Sequence, residues 1–388
     1  MIGGPLAAPV KGTLLIVVTE DFYFWSHRLP LARGARDAGY RVVIATREIE
    51  HGDRIRKEGF EVVPLHSLRR DSANPLREFR TMRELIAVYR QVRPDIAHHV
   101  AMKPVLYGSL AARATRVPTT VNAFAGLGWA FTQHGMRAAF VEPLFSLAYR
   151  VTLGRRGSVV LFQNSDDRDT LVRLHAVGKN ATAVIRGSGV DVEFIRPVAP
   201  PSGPVAIVFG ARMLRDKGVG PLVEAARLLK QRGHDIVVRL FGDPDPQNPS
   251  SYTADELAEW TRSGTVEWRG ATTDMRGELA RAHIACLPSY REGLPKFLIE
   301  AAAAGLPIVT SDVPGCREVV TDGLNGFLVP PRESAPLADA LERLILDPEL
   351  RASMGAAGRR RAELEFSEQR VISETLALYQ SLTPSTTR

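Results

Sequence analysis

The sequence predicts an α/β fold in which two domains are each built on a parallel sheet with helices on both faces. Its 388 residues are too many for one hydrophobic core. Short apolar runs rich in β-branched residues alternate with segments of helical periodicity, which is typical of parallel sheets. A proline-rich linker at residues 196–204 separates the two halves. We therefore expect domains at 1–197 and 198–366, followed by a last helix and tail at 367–388.

The strands are predicted as short apolar runs that end at polar or turn-forming residues. In the first half they lie at residues 13–18, 41–45, 60–64, 94–100, 118–122, 158–162 and 181–185. In the second half they lie at residues 205–209, 236–241, 266–268, 283–287 and 308–310. Residues 19–26 are predicted as a loop. Helical periodicity is clearest at 27–38 and 69–93, and further helices are predicted to begin near Pro221, at Pro295 and at Phe366.

Composition narrows the class of protein. Hydrophobic residues make up 45% and charged residues 24%, which is ordinary for a globular chain. The net charge of +7 favours polyanions or an anionic membrane surface as partners, but no nucleic-acid-reading motif is present. Two cysteines provide neither a disulfide framework nor a metal cluster, and Cys286 lies in an apolar run typical of core packing.

The beginning of the chain does not have the pattern of a signal peptide. Its apolar run at 13–18 is short, follows Lys11 and has no cleavage pattern after it. No segment reaches the ~18 uninterrupted apolar residues of a spanning helix. We therefore expect a cytoplasmic protein that is soluble or peripheral on the inner face of the membrane.

The stretch at 289–305 is a candidate anion site. It follows a predicted strand, and its loop leads into the helix predicted at Pro295. A helix N-terminus presents unpaired N–H groups and partial positive charge, so phosphates bind there readily. Glu292 and Glu300 flank this point, and carboxylates accept hydrogen bonds from hydroxyls, so a sugar phosphate fits both features. Alternatively, Glu300 pairs with Lys296 at i, i+4 and Glu292 is a solvated loop charge.

Three linked motifs in this region carry a resemblance to a known family. E-G-L-P-x-x-x-x-E begins at Glu292 and is followed by A-x-x-G-x-P-I-V and V-P-G-C-R-E-V-V-x-D-G-x-N-G. Together they resemble the nucleotide-sugar site of retaining GT-B glycosyltransferases of family 4. The resemblance implies two Rossmann-like domains that face each other across a cleft, and a C-terminal helix that crosses back to the first domain.

The resemblance also implies roles for individual residues. The first glutamate of the motif, Glu292, contacts the transferred sugar and the second, Glu300, contacts the ribose. The backbone N–H groups of the intervening loop and the start of the helix complete the phosphate cradle, and relatives hold the base through backbone groups after a neighbouring strand. The corresponding positions here are Gly293, Leu294, Pro295, Arg269 and Gly270.

Arg212 and Lys217 resemble the cation pair that holds the diphosphate in this family. Arginine can grip the departing diphosphate with a bidentate fork and lysine with a point charge. The alternative is a surface ion pair with Asp216. The resemblance implies that no metal and no D-x-D motif is needed. It also implies a UDP-sugar donor and front-face departure, because no nucleophilic carboxylate is evident.

The first half carries motifs similar to those of family members that act on polyprenyl-linked acceptors. These are F-x-S-H-R, which includes His27, H-x-x-x-K-P-x-x-Y-G around Lys103, and N-x-x-x-G-L-G from Asn122. Many relatives have T-x-H-G where this chain has N-x-x-x-G-L-G, so no histidine role is expected at this motif. His98 and Lys103 lie at the end of a predicted strand. Lys103 is interpreted either as a cation for an acceptor diphosphate or as part of a salt bridge.

Three further interpretations follow from side-chain patterns. A metal site at the two adjacent histidines, His98 and His99, is disfavoured because neighbouring strand residues point to opposite faces. The aromatic side chains of Phe22, Phe24 and Trp25 either pack in the core or between domains, or form an acceptor-facing wall. The basic amphipathic helix at 69–93 either lies on an anionic bilayer or packs on the sheet with a solvated face.

The predicted function is retaining transfer of a hexose or N-acetylhexosamine from a nucleotide sugar, expected to be a UDP-sugar, to an undecaprenyl-diphosphate-linked saccharide. Such an enzyme would serve surface polysaccharide or glycan assembly in peripheral contact with the inner membrane. The rivals are a UDP-sugar 2-epimerase of the same fold and a non-catalytic binding scaffold. The epimerases lack the E-G-L-P-x4-E arrangement, and intact Arg212, Lys217, Glu292 and Glu300 argue against a decayed site.

Overall fold

Alternating strands and helices form two units in the computed structural model, which describes residues 11–70, 74–126 and 146–382. The first unit comprises Met1–Ser188 and Gln369–Arg388, and the second comprises Gly189–Glu368. Each unit contains one parallel sheet. The predicted α/β fold class, with two parallel sheets, is confirmed.

The first unit has a seven-stranded sheet of order β3-β2-β1-β4-β5-β6-β7. Its strands are β1 (Gly12–Glu20), β2 (Tyr40–Arg47), β3 (Glu61–Pro64), β4 (Ile96–Val100), β5 (Thr119–Phe124), β6 (Ser158–Phe162) and β7 (Thr182–Val184). Its helices up to this point are α1 (Asp21–His27), α2 (Leu29–Asp37), α3 (Gly52–Lys57), α4 (Pro75–Val92), α5 (Met102–Thr115) and α6 (Ser165–Arg173). Chain order reverses between β1 and β4, which is where ligands bind in such sheets.

The second unit has a six-stranded sheet of order β10-β9-β8-β11-β12-β13. Its strands are β8 (Val205–Gly210), β9 (Ile236–Phe241), β10 (Glu267–Trp268), β11 (Ile284–Leu287), β12 (Ile308–Ser311) and β13 (Gly326–Val329). Its helices are α7 (Val219–Gln231), α8 (Ala254–Arg262), α9 (Met275–Ala280), α10 (Lys296–Ala303), α11 (Cys316–Val319), α12 (Ser334–Leu346) and α13 (Pro348–Glu365). Here chain order reverses between β8 and β11.

The last helix, α14 (Glu368–Leu382), belongs almost entirely to the first unit. Tyr379 is fully buried in that unit's core and packs edge-on against Tyr40 with ring centroids 6.2 Å apart. Val371 lies in the same core cluster. The chain therefore returns to the first unit, as the family resemblance implied.

The division between the units falls at Ser188 and Gly189, earlier than the predicted boundary at 197/198. The reason is that the intervening residues belong to the second unit by their contacts. The amide of Val190 donates to the carbonyl of Phe366 over 2.9 Å. Arg359 donates to the carbonyls of Val192 and Ile195 over 2.9 and 2.7 Å. The proline-rich segment therefore follows the structural boundary and does not mark it.

The segment after β1 is a second difference, because the predicted loop at 19–26 contains helix α1. A tertiary contact fixes this helix. The Asp21 carboxylate accepts the backbone N–H groups of Ile49, Glu50 and His51 over 2.8, 3.0 and 2.7 Å. The aromatic cluster here is divided between packing and the surface. Phe24 is fully buried, whereas Trp25 lies under the Arg54 guanidinium at 4.2 Å.

Candidate active site

The second unit brings two loops together at the reversal of strand order. One loop follows β8 and carries Arg212 and Lys217, and the other follows β11 and carries Glu292. Because β8 and β11 are neighbouring parallel strands, their carboxyl ends lie at the same edge of the sheet. The amide of Tyr290 donates to the carbonyl of Asp216 over 2.8 Å and so ties one loop to the other.

Lys217 and Glu292 form an ion pair with Nζ and Oε1 2.5 Å apart. The Ser289 hydroxyl donates to the same carboxylate oxygen over 2.7 Å. The lysine side chain is 21% exposed and the glutamate 10%, so the pair is shielded but open to a ligand. Glu292 is therefore not the solvated loop charge of the alternative interpretation, because it is mostly buried and has two partners.

Two glycines allow this close arrangement. Gly218 has φ 75°, and a Cβ there would lie 2.0 Å from the carbonyl oxygen of Pro288. Gly315 has φ 80°, and a Cβ there would lie 2.6 Å from the carbonyl oxygens of both Glu292 and Gly293. Only glycine adopts these conformations readily and leaves that space empty. The backbone around Glu292 is therefore packed from two sides by residues without side chains.

Helix α10 starts at Lys296, with Pro295 as its N-cap. A proline has no side-chain acceptor, and no side chain of the cap bonds the first turn. The helix therefore directs its amide end and partial positive charge toward the loop of Glu292. Leu294 is 8% exposed and packs into the core of the unit, which fixes the entry of the chain into the helix.

Glu300 lies further along α10 and contacts Lys296, with Oε1 and Nζ 3.6 Å apart. This is the i, i+4 pairing that the sequence offered as the alternative. Burial raises the pKa of the Glu300 carboxyl above its usual range, and the nearby Lys296 opposes that shift. A buried carboxyl with one loose partner retains capacity to accept hydrogen bonds from a ligand. Its contact with a ribose remains a prediction.

Arg212 pairs with Asp245, with Nη1 and Oδ2 2.5 Å apart, and its side chain is 47% exposed. The sequence suggested Asp216 as the alternative partner, and that was wrong. Asp216 instead accepts a hydrogen bond from the Ser250 hydroxyl over 3.1 Å. Asp245 lies in the turn after β9, and β9 is the neighbour of β8, so the pairing follows from strand order.

Arg269 and Gly270 follow β10 at the same edge of the sheet. The Arg269 side chain is 56% exposed and pairs with Glu267 over 2.7 Å. Gly270 has φ 70°, and its carbonyl accepts the amide of Gly242 over 2.8 Å. These backbone contacts hold the turn firmly. A role in holding a nucleotide base stays a prediction.

The predicted acceptor-side residues of the first unit have different environments. His27 stacks on Tyr23 with ring centroids 4.4 Å apart. Lys103 pairs with Glu78 over 2.8 Å, which is the salt bridge of the alternative interpretation. His98 and His99 face opposite sides of the sheet, since His98 bonds Tyr379 and His99 bonds Tyr89. The argument against a two-histidine metal site therefore agrees with the geometry.

The polar groups of Asn122 are engaged inside the first unit. Its side chain is fully buried. Its carbonyl oxygen lies 2.6 Å from Nδ1 of His99 and accepts from the Ser109 hydroxyl over 2.8 Å. Its amide donates to the Ser158 hydroxyl over 3.1 Å. The proposed acceptor contact is therefore corrected to a structural role, while Leu127 and Gly128 of the same motif lie outside the described residues.

Sequence reasoning missed several residues that shape these sites. Ser289 and Asp245 were not identified because their partners are distant in sequence or set by strand order. Gly218 was not singled out and Gly315 was quoted only within a motif, because the contacts of both depend on which loops meet. Arg28, the last residue of F-x-S-H-R, was quoted without a role, because its burial is visible only in the structure.

Neither a metal site nor a membrane-spanning helix is found among the described residues. Residues 11–70, 74–126 and 146–382 contain no group of three or more His, Cys, Asp or Glu side chains placed to hold a metal ion. None of the helices in these ranges combines the length and the apolar character needed to cross a bilayer.

Comparison with known proteins places both halves in related families. Residues 191–361 match the family Glycosyl transferases group 1, and residues 14–162 match Glycosyl transferase 4-like. The chain is 26% identical over 366 residues to the N,N'-diacetylbacillosaminyl-diphospho-undecaprenol alpha-1,3-N-acetylgalactosaminyltransferase of Campylobacter jejuni. That alignment covers 91% of this chain and 94% of the relative.

Two solved structures share the fold. A glycosyltransferase from Rickettsia africae superposes with a TM-score of 0.78 at 18% identity, covering 96% of this chain and 99% of the other. HepE of Anabaena, solved in complex with UDP and glucose, superposes with a TM-score of 0.77 at 18% identity, covering 95% and 99%. At these identities the likeness extends to the fold alone.

Proposed function

This chain is a GT-B glycosyltransferase of the group 1 and 4-like families, a hexosyltransferase, and from that premise we propose that it moves a hexose or N-acetylhexosamine from a nucleotide sugar to a lipid-linked saccharide. The observation that carries the proposal is the Lys217–Glu292 pair beside the amide end of α10. It combines a cation for phosphate, a carboxylate for sugar hydroxyls and a helix N-terminus within one loop cluster.

The pair would act by exchange of partners. The lysine of a partly shielded ion pair has already lost much of its hydration, so exchanging its carboxylate partner for a diphosphate costs the lysine little further desolvation. Lys217 would then hold the diphosphate, and Glu292, released from it, would accept hydrogen bonds from the transferred sugar. Ser289 would keep the carboxylate oriented during this exchange.

We propose that the donor is a UDP-sugar. The leaving group is then a nucleoside diphosphate whose negative charge grows as the bond to the sugar breaks. Arg212, Lys217 and the amide end of α10 would neutralise that charge, with no metal ion needed. HepE, which shares the fold, binds UDP and glucose, and this supports UDP as the nucleotide.

We propose that the transfer retains the configuration of the sugar. A double-displacement route needs an ionised carboxylate placed to attack the sugar carbon. In the exchange proposed above, Glu292 is oriented by Ser289 and accepts hydrogen bonds from sugar hydroxyls, and Glu300 lies on α10 beside Lys296, so neither carboxylate is assigned as that nucleophile. Front-face departure fits this arrangement better, because the diphosphate itself can take the proton of the incoming hydroxyl.

The acceptor is proposed to be a saccharide on undecaprenyl diphosphate. The relative from Campylobacter jejuni is named for such an acceptor, and it aligns with this chain over 91% of its length. The surface of α4 supports contact with the membrane that would hold this lipid. Leu76 and Phe79 in its first turns are 72% and 63% exposed and lie among exposed arginines. Leu85 and Tyr89, further along the helix, pack into the core.

The proposal is tested by incubating the purified protein with labelled UDP-, GDP- and ADP-sugars and an undecaprenyl-diphosphate-linked disaccharide. We expect one UDP-sugar to transfer, with an α-linked product in the NMR spectrum. A β-linked product from an α-linked donor would contradict retention. Release of the free sugar epimer, or binding with no turnover on any acceptor, would contradict glycosyl transfer itself.

A further inference from the structure

A small pocket in the first unit is lined partly by polar and charged side chains, although the core around it is apolar. It lies at the carboxyl ends of β5, β6 and β7 and is lined by Arg28, His98, Gln163, Gly187, Ser188 and Thr375, among others. None of its lining residues, all of which are described, is acidic. Its position is the edge at which parallel sheets bind ligands.

Arg28 is the only positively charged lining residue of this pocket. It is 5% exposed. Its Nε has no hydrogen-bond partner, and within the described part of the chain its guanidinium has no carboxylate partner. Burying a charge without a partner is costly, and a cation of this kind is normally paired. The buried guanidinium of Arg28 therefore needs an anionic partner that the described residues do not supply.

His98 adds a second unsatisfied atom. It is 1% exposed, its Nδ1 lies 2.5 Å from the Tyr379 hydroxyl, and its Nε2 has no partner. Burial lowers the pKa of His98 well below its usual range, so the ring is neutral near pH 7. Burial also raises the pKa of Tyr379, so its hydroxyl keeps a proton to donate to Nδ1. In the tautomer in which the Tyr379 hydroxyl donates to Nδ1, the imidazole proton resides on Nε2, which is then a donor.

Gln163 supplies further donors. It follows β6, is 8% exposed, and its side-chain amide makes no hydrogen bond with the protein in the described residues. Three side chains, each more than nine-tenths buried, thus bring donor groups without protein acceptors to one pocket. Such a cluster suits an anion with several lone pairs, and arginine is the side chain best suited to phosphate.

We propose that this pocket binds an oxygen of a phosphate group, with Arg28 providing the charge and His98 and Gln163 the neutral donors. The enclosed space has room for about one water molecule, so a single phosphate oxygen fits while the rest of the group stays at the mouth. Resting on the proposed function, we assign this phosphate to the diphosphate of the lipid-linked acceptor. Lys103, the residue that the sequence suggested for this role, is already paired with Glu78.

The test uses inorganic pyrophosphate as the probe, in phosphate-free buffer, on a Lys217→Ala background that removes the donor-site cation. Arg28→Met replaces the guanidinium by an apolar chain of similar length. We expect this variant to unfold at a temperature at least ~2 °C higher without anion, because an unpaired buried charge has been removed. We also expect it to lose the stabilisation that pyrophosphate gives to the Arg28 protein. An unchanged pyrophosphate response in Arg28→Met would overturn the anion site whatever its Tm, and a lower Tm without anion would contradict an unpaired buried charge.

A matched control is Arg33→Met, since Arg33 is exposed and pairs with Glu58 over 2.7 Å. It removes the same charge from the neighbouring helix and should leave the pyrophosphate response unchanged. A spectroscopic readout is independent of variants: pyrophosphate should shift the Nε2 resonance of His98 and leave that of His99 in place. Equal shifts at both rings, or none, would contradict the assignment.

Kinetics in the otherwise intact enzyme identify the source of the phosphate. Arg28→Gln should raise KM for the lipid-linked acceptor at least tenfold and leave KM for the donor within about twofold of wild type. Arg28→Lys should reverse part of this rise in acceptor KM. Pyrophosphate binding that depends on Arg28 without any change in acceptor KM would show a site for free phosphate and overturn the acceptor assignment. If the proposed function is wrong, no transfer occurs in any variant, while the pyrophosphate result with Arg28→Met is unaffected.

Discussion

The cations at the candidate site of the second unit and at the pocket of the first unit have opposite environments. In the second unit, Arg212, Lys217 and Lys296 each contact a carboxylate, the first two at the loops of the proposed donor site and the third on helix α10. In the first unit, Arg28 is more deeply buried and has no such partner in the described residues. A paired cation can exchange one anion for another, whereas an unpaired buried cation needs an anion to be added. The comparison suggests that the donor displaces a carboxylate and that the acceptor fills an empty position.

The largest expected effect comes from breaking a pair in the second unit. Lys217→Ala should lower kcat/KM by an amount equivalent to ~2–4 kcal/mol of transition-state stabilisation. The reason is that it removes a donor aimed at the departing diphosphate. Arg215→Ala is the matched control, since Arg215 is 53% exposed and pairs with Glu256. That variant should change the rate by less than about threefold. Equal effects of the two substitutions would contradict a specific role for Lys217.

The adjacent histidines of β4 sharpen the comparison within the first unit. His99 has both ring nitrogens engaged, by Tyr89 and Asn122, yet burial lowers its pKa to about 4. The unfolded chain protonates near pH 6.5, so the folded state loses stability as the pH falls from about 6.5 to about 4. The loss due to His99 should reach about 3 kcal/mol.

His99→Gln tests this pH dependence by denaturant unfolding at several pH values. The variant should take up about one proton fewer on unfolding near pH 5 and show a shallower loss of stability. Above pH 7 the two proteins should have the same pH slope, because neither state titrates this ring there. An unchanged acid slope in the variant would contradict a buried neutral His99.

The donor-site loops themselves can be loosened without touching a charge. Gly218→Ala adds a Cβ 2.0 Å from the Pro288 carbonyl oxygen, so the loops after β8 and β11 must separate. Gly233→Ala is the control, because Gly233 also has a positive φ of 88° but nothing lies within 4 Å of its added Cβ. Thermal unfolding should show Gly218→Ala less stable than the control by about 2 kcal/mol, with a further loss of activity. Similar stability and activity would show that the close approach is not needed.

The smallest expected effect is at Glu300. Glu300→Gln replaces one carboxyl oxygen acceptor by an amide donor but keeps the shape, so UDP affinity measured by calorimetry should fall by about 1.5 kcal/mol while the fold stays intact. Glu278→Gln is the control, since Glu278 also pairs with a basic residue, Arg281, but lies on α9. Equal UDP affinity in wild type and Glu300→Gln would refute the ribose assignment.

The sequence was most informative where local chemistry alone decides the structure. Proline before the first turn placed the start of α10, and the E-G-L-P stretch identified the loop of Glu292. The alternation of apolar runs located the strands of both sheets, apart from β13, for which no strand was predicted. These features depend on residues close together in the chain.

Sequence reasoning failed where distant segments decide the outcome. Helix α1 was predicted as a loop, because the Asp21 contacts with residues 49–51 that fix it are invisible in a local pattern. The partner of Arg212 depends on the adjacency of β8 and β9. By its spacing, the histidine of H-x-x-x-K is His99, which is engaged on both sides, whereas the unsatisfied nitrogen belongs to His98. Only the fold could separate these two roles.

The most direct test of the account is the affinity of the protein for UDP before and after Lys217 is removed. Calorimetric titration of wild type should show binding at one site, and Lys217→Ala should bind UDP at least tenfold more weakly with the same stoichiometry. That result is expected if Lys217 separates from Glu292 and then holds the diphosphate itself. The same dissociation constant in both proteins would contradict the exchange of partners on which the proposed function depends.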